Sequence, residues 1–406
     1  MTLKEKLREL ERVPPKVTVP ELKQQSTALE DLLGGTEQSG CFVVEQHFPL
    51  HNSHGNVRLQ HIKEIAATAL AIAGKDPSLT KLDLSRALFL DTETTGLAGG
   101  TGTTAFLVGV GQFTDTAFVV RQYFLRGPHE EAAMLKQLQS LVEHSHGLIT
   151  FNGKSFDIPL LRTRAVLNRL PVDFARLLHL DVLHAARRLW KAQYGDCSLG
   201  GLEGRVLQLR RSHDIPGALI PQIYFDFLRY GEASQLPEVF SHNRQDIVSM
   251  AALLVRMAQL VQHPLRRDHD APISPAELRR VALLYRQLGD FAASAMLFEQ
   301  LLNDHAAPAG LEDHLALGLC YKSQRRYDEA NHLWQKIVAE LSFHPLPYIE
   351  LAKHYEHRER AAGLALEWVE RGLKNLQLCE AIGRRHEWTA YKKDLVHRQR
   401  RLQRKS

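Results

Sequence analysis

Two acids, Asp91 and Glu93, stand two residues apart at the end of an apolar run, RALFLDTET (86–94). If that run is a strand, its period of two puts both carboxylates on one face. Neighbouring carboxylates repel unless a cation lies between them, and all-oxygen ligands suit a hard divalent ion such as Mg²⁺ or Mn²⁺. A solvent-facing pair at a strand end is the plainer alternative. A third acid, Asp157, follows the apolar run GLITFNG (147–153) at the head of a helix, with Phe156, Ile158, Leu160 and Leu161 around it. That position serves a metal ligand or a helix N-cap equally well. A fourth, Asp246, lies in HNRQDIVSMAALL (242–254), which the apolar spacing of Ile247, Met250, Ala251 and Leu254 marks as helical. His242 is four residues before it and shares its face. An imidazole that titrates near neutral pH could orient or deprotonate a water there, or could make only a surface contact with Asp246.

The elements that must position these residues form an alternating series. Strands are predicted over 86–94, 103–113 and 117–125, joined by short turns. An amphipathic helix over 128–142, a buried strand over 147–153 and a helix over 155–168 follow, with Pro159 in the first turn, where proline is tolerated. A strand near 177–182 and further helices complete the order. Three hairpin-connected strands followed by helix, strand, helix and strand predict an α/β sandwich on a mixed five-stranded sheet.

The three acidic segments together resemble the DEDD exonuclease superfamily, nucleases with a ribonuclease H-like fold. LDTETTGL (90–97) is similar to its first motif, FNGKSFDIPLLRTR (151–164) to its second and HNRQD (242–246) to its third. Further segments, among them HLDVLHAARRLW and HDIPGALIPQIYFDFLRYG, resemble the bacterial YprB-type ribonuclease H-like domain, and the likeness spans 83–259. It implies that Asp91, Glu93, Asp157 and Asp246 bind two divalent cations, Mg²⁺ or Mn²⁺, with His242 assisting catalysis and Thr94, Asn152, Phe156 and Asp181 at the substrate. It also implies 3′→5′ hydrolysis of single-stranded DNA or RNA by a two-metal mechanism. One departure stands out. The superfamily carries its histidine five residues before the last acid or a tyrosine four before it, whereas His242 is a histidine at the tyrosine spacing. Asp181 could instead cap the helix after its strand.

Beyond 271 the sequence repeats itself. Tyr285, Tyr321 and Tyr355 are 36 and 34 residues apart, and the same frame aligns Ala282, Gly318 and Ala352, then Phe298, Trp334 and Trp368. The pattern resembles the tetratricopeptide repeat, which implies an all-α solenoid over 271–380 able to receive a protein partner. The stretch 381–406 reads as a basic tail, nine Lys and Arg against Glu387 and Asp394, that could hold a phosphate backbone or be a solvated helix end. The first 82 residues read as an accessory segment, with short helices over 3–12 and 21–33 and an alternating strand over 41–50. The histidines His47, His51, His54 and His61 have no metal-ligand spacing and read as a polar loop.

The chain's 406 residues, 44% hydrophobic and 24% charged, exclude wholesale disorder and predict two or three domains. Its four cysteines, unpaired in spacing, point away from a disulfide framework and toward a reducing cytoplasm. No run is apolar enough to span a membrane. The Gly-rich run 96–104 lacks a Gly-Lys-Ser/Thr ending and is no phosphate-cradling P-loop. Near the DIPG turn (214–217), Arg210, Arg211 and His213 could touch phosphates. The net charge of +5 allows a nucleic-acid partner. A non-catalytic nucleic-acid-binding or protein-interaction scaffold on a vestigial nuclease fold is the alternative.

Overall fold

The computed structural model describes residues 29–96, 102–212, 214–266, 272–303, 310–381 and 388–405. It divides into two compact units, one ending at Gln262 and the other running from Pro272. The helix expected over 3–12, most of that over 21–33, the centre of the Gly-rich run and His213 lie outside the described residues; 29–33 is helical.

The first unit is built on one mixed sheet of seven strands in the order β1-β2-β7-β6-β5-β8-β9. The strands are β1 (Thr36–Gln38), β2 (Cys41–Pro49), β5 (Ala87–Thr94), β6 (Ala105–Phe113), β7 (Ala117–Phe124), β8 (Gly147–Thr150) and β9 (Leu178–Asp181), while β3 (Ser53–His54) and β4 (Val57–Arg58) make a separate small hairpin. The five strands from β5 onward follow the expected order, with β5–β8 and β8–β9 parallel and the other pairs antiparallel. The expected count of five is corrected to seven. β2 pairs with β7 along its whole length, from Phe42 opposite Phe124 to Pro49 opposite Ala117, and brings β1 with it. Its Cys41–Val44 are buried, so within the expected accessory segment 36–49 extends the sheet.

β5 lies inside the sheet, between β6 and β8, and its Leu88, Phe89 and Leu90 are fully buried. This continuous apolar run is what a strand covered on both faces requires. On one face Leu88 and Leu90 join a core with Met134, Leu135 and Leu138 of α2 (Glu131–His144) and Leu160 and Leu161 of α3 (Asp157–Leu167). α1 (Ala67–Gly74) precedes them in the chain. α4 (Val182–Tyr194), α5 (Leu199–Arg205), α6 (Ile220–Tyr230) and the 27-residue α7 (Leu236–Gln262) follow. α7 packs on β5, β6 and β7 and also meets α1, α4 and α5, which accounts for its nearly unbroken burial from Ile247 to Ala258. Gly109 and Gly111 of β6 let it approach: a Cβ at Gly109 would stand 2.2 Å from Asn243 Oδ1, and one at Gly111 2.7 Å from Ile247 Cγ2.

The His-rich turn is not a solvated loop throughout. His47 and His51 are exposed, but the β3–β4 hairpin docks on the segment after α5, with Asn56 N–H donating to the Leu207 carbonyl at 2.9 Å. Gly55 makes this possible. Its φ is +61°, and a Cβ there would stand 2.1 Å from the Leu207 oxygen. His54 is thereby carried inward, its Nε2 2.7 Å from Ser249 Oγ.

The second unit is all helical: α8 (Pro275–Gln287), α9 (Phe291–Asn303), α10 (Leu311–Ser323), α11 (Tyr327–Glu340), α12 (Pro345–His357), α13 (Ala362–Ala381) and α14 (Thr389–Leu402), each packed on the next. The repeated small position is a close approach, since a Cβ on Gly318 would stand 2.4 Å from the Trp334 ring. The basic stretch is largely a packed helix rather than a free tail. Leu395 and Leu402 of α14 are fully buried, and the buried Glu356 carboxylate receives Arg401 and, at 2.9 Å, Lys405. Lys392 pairs with Glu380 at 2.7 Å. Those charges face partners within the unit. No helix among the described residues is long and apolar enough to cross a membrane.

Leu395→Ala should therefore lower the stability of the helical unit by about 2–5 kcal/mol, the usual cost of emptying a buried leucine site. Calorimetry checks this: the transition of the helical unit moves down while that of the sheet unit stays.

Candidate active site

The site forms where β5 outruns its parallel neighbour. β8 pairs with β5 only as far as Thr150 opposite Leu90, so Asp91 and Glu93 project beyond the end of β8, while β6 continues beside them, Gly109 opposite Asp91 and Leu107 opposite Glu93. The carboxyl ends of strands in open α/β sheets, where neighbours diverge, are where such folds make their clefts. Strand alternation sends Asp91 and Glu93 toward α7, which presents His242, Asn243 and Asp246 from its second and third turns. Thr92 points the other way, toward α3, and its hydroxyl donates to Asp157 Oδ1 at 2.5 Å. The four acids thus arrive from both faces of the sheet.

Their crowding shows in their protonation. Burial pushes the Asp91 carboxyl well up, and the charges of Asp246, Asp157 and Glu93 push it further, with the Asn243 hydrogen bond opposing. Burial raises Glu93 to about 7, with Asp246 and Asp157 adding to the rise and His242 and Arg211 resisting it. Asp157 is raised by burial to about 6 despite its bonds to Thr92, and Asp246 is raised by burial against the pull of Arg211 and His242. Four carboxyls of raised pKa, Asp157 buried and Asp91, Glu93 and Asp246 half-buried, are an oxygen donor set for a hard divalent cation. Among the described residues, however, no three His, Cys, Asp or Glu side chains are grouped to hold a metal ion as they stand. Each of three acids is tied to a protein partner instead. Asn243 Nδ2 donates to Asp91 Oδ2 at 2.9 Å, Thr92 holds Asp157, and Arg211 donates to Asp246 Oδ1. The donor chemistry fits the ion, and the partners occupy part of it.

His242 sits between two carboxylates. Its Nδ1 is 2.7 Å from Asp214 Oδ1, and its Nε2 faces Asp246 Oδ2 at 3.8 Å. Burial works against its charge, but Asp246, Glu93 and Asp214 outweigh that and raise its pKa. Asp214 selects the tautomer with the proton on Nδ1 when the ring is neutral, which leaves the Nε2 lone pair on the side of the acids.

Asp181 and Thr94, expected at the substrate, make hydrogen bonds within the chain. Asp181 caps α4 through the Leu183 N–H at 3.1 Å and accepts from the Asn152 and Lys154 N–H groups at 2.9 and 3.1 Å. It therefore ties down the turn that delivers Asp157. Thr94 donates to the Gly96 carbonyl at 2.9 Å. Asn152, exposed and with φ of +67°, and the half-buried Phe156 flank that turn.

Several residues carry no motif signal. Asn243 is held by Gln122, whose Nε2 donates to Asn243 Oδ1 at 2.9 Å and to the Phe240 carbonyl at 2.8 Å. Asn243 was detectable, lying three residues before Asp246 on a helix. Glu203 shares the apolar face of α5 with Leu199 and Leu202, a spacing that marks a buried acid. Arg211, expected only as a phosphate contact, and Asp214 come from an irregular segment with no periodicity to assign them to the acids.

Two measurements follow from this geometry. Because the raised carboxyls bind more protons folded than unfolded, metal-free protein loses stability as pH rises from the ordinary carboxylate range through about 6 to 7. Thermal unfolding in chelator across that range should show the fall, Asp91→Asn should flatten it, and added Mn²⁺ should raise the midpoint more at pH 7.5 than at pH 5. Asn243→Ala, which removes the partner orienting Asp91, should weaken Mn²⁺ binding by roughly 10–100-fold, as read by calorimetric titration.

A family model described as RNase_H superfamily matches residues 88–258, the stretch from β5 through most of α7. "Uncharacterized protein YprB" of Bacillus subtilis (strain 168) is 33% identical over 349 residues, which is 84% of this chain and 82% of that protein. That length exceeds the sheet unit, so the likeness runs into the helices as well. With a sheet in the ribonuclease H order and acids at its parallel strand ends, the chain belongs to the family of that Bacillus protein, and its sheet unit to the RNase H superfamily.

Proposed function

We propose that the chain is a divalent-metal-dependent nuclease, a 3′→5′ exonuclease acting on single-stranded DNA or RNA. The observation that carries this reading is the convergence of Asp91, Glu93, Asp157 and Asp246 from three separate segments on one strand end, where burial raises all four and the neighbouring acids raise Asp91 and Glu93 further. Such a cluster is costly for a fold that does not use it. Asp91, Glu93, Asp157 and Asp246 would hold the ions, which supply charge neutralisation of the phosphodiester and acidification of the attacking water. The chain's own residues do the rest. Asp214 holds His242 by Nδ1, so that Nε2 can take a proton from the water on the side of the acids. Asn243 and Thr92 orient Asp91 and Asp157. Asn152 and Phe156 border the strand of substrate entering over the turn.

The helical unit is read as tetratricopeptide-like repeats that receive a protein partner. The support is its run of successively packed helices and the close contact of Gly318 with Trp334 at the small and aromatic positions of the middle repeat. A second reading, a scaffold on an inactive nuclease fold, is favoured by one observation, the ion pair that already occupies Asp246.

The deciding experiment incubates the intact protein with 5′-labelled single-stranded DNA and RNA in Mn²⁺ or Mg²⁺. A ladder of shortened products is expected, absent in Asp91→Asn and Asp246→Asn. His242→Asn should slow cleavage by about 10²–10⁴-fold. Binding without cleavage by wild type in both metals would overturn the nuclease and leave the scaffold, and cleavage of a circular strand would make it an endonuclease.

A further inference from the structure

The site contains a cation of its own. Arg211 uses four of its five N–H donors on three carboxylates. Nε donates to Glu203 Oε2 at 2.5 Å, Nη2 to Glu203 Oε1 at 2.7 Å and to Asp246 Oδ1, and Nη1 to Asp214 Oδ2 at 3.2 Å. The grip on Glu203 is the bidentate fork that guanidinium and carboxylate form best. Glu203 is 1% exposed and is held from behind: Ser249 Oγ donates to its Oε1, and His54 Nε2 lies 2.7 Å from that same hydroxyl. Ser249 has one hydrogen, and it goes to Glu203, so His54 donates from Nε2. The line of bonds runs from the β3–β4 hairpin through α7 and α5 to the acid site.

The two ends of Arg211 differ in kind. The Glu203 end is buried, doubly bonded and buttressed. The Asp246 end is one bond from Nη2 to a carboxylate whose side chain is 17% exposed, in the midst of Asp91, Glu93 and Asp157. A guanidinium there does electrostatically what a divalent ion would do, with one charge where the acids could accommodate more.

We propose that Arg211 is the resident counter-cation of the acid site. It holds Asp246 when no metal is bound, a divalent cation competes with it for that carboxylate, and Glu203 retains the displaced arginine at the rim. Arg211 is thus a positioning residue acting through Asp246. The proposal rests on the metal-site reading above and adds a competition that reading does not require. It also accounts for the absence of a ready-made metal grouping among the described residues.

The test is Mn²⁺ titration of the full-length protein by calorimetry, with metal-free thermal stability measured alongside. Removing Arg211 alone would strand Glu203, so the informative variant is Glu203→Gln with Arg211→Met. It should bind Mn²⁺ roughly tenfold more tightly than wild type while its metal-free stability falls, and Arg211→Lys, which keeps the charge, should bind much as wild type does. Equal or weaker Mn²⁺ binding by the double variant overturns the proposal while leaving the metal site intact. Mn²⁺ binding by neither wild type nor double variant, with Asp91→Asn indistinguishable, overturns the metal-site reading and the proposal with it. A measurement on unmodified protein stands if the double variant fails to fold. Titration with Mg²⁺ should shift the ¹⁵N resonances of the Arg211 Nη groups while Nε, fixed by Glu203, stays in place. Saturation by Mg²⁺ with no movement at Nη would overturn the competition.

Discussion

Four carboxyl groups, one buried and three half-buried, converge at one strand end of the sheet unit, and burial raises the pKa of each. Left unpaired, buried charges of one sign are among the costliest arrangements a fold can contain. The surroundings of Asp91, Glu93, Asp157 and Asp246 read as answers to that cost. Asn243 donates to Asp91, Thr92 to Asp157 and Arg211 to Asp246, while His242 faces Glu93 and Asp246 with a raised pKa. These partners need partners in turn. Gln122 fixes Asn243, Asp214 fixes His242, and Glu203 fixes Arg211. A polar network of this depth in a buried setting holds only if each member is satisfied, and it imposes order on the segments that contribute to it.

Helix α7 is the element on which that order hangs. It lies against β5, β6 and β7, and its polar residues 242, 243 and 246 occupy the end nearest the acids while an almost wholly apolar stretch anchors the remainder. The approach depends on what β6 lacks. Any side chain at Gly109 would displace Asn243, and one at Gly111 would strike Ile247 and Phe118. Two missing side chains in a strand facing the helix thereby set the distance between Asp91 and its partner, a close backbone approach of the kind that glycine in a strand commonly marks.

The parts of the chain that looked peripheral are tied into this arrangement or into a core of their own. β2 gives the sheet an additional antiparallel partner for β7, and the hairpin after it sends His54 to Ser249 at the back of Glu203. In the helical unit the basic residues Arg401 and Lys405 converge on Glu356, whose side chain is 3% exposed. Their charge serves the packing of α14, and a count of lysines and arginines along the sequence does not distinguish that from a patch offered to phosphate.

The order of the strands, the helical character of the region beyond 271 and the segments that carry the four candidate acids were all legible in the sequence. Each depends on local regularities: an apolar run closing in D-x-E, the 3.6-residue periodicity around Asp246, the recurrence of small and aromatic residues at fixed offsets. What could not be read were the relations between residues distant in the chain. Asp181 lies at a strand end, and only the path of the 152–154 turn shows that it accepts from three backbone N–H groups. Arg211, in an irregular segment, became a member of the acid site because α5 places Glu203 beneath it. Local pattern reports periodicity and propensity, which act over a few residues, whereas the pairing of buried charges depends on distances that exist only once sheet and helices have packed.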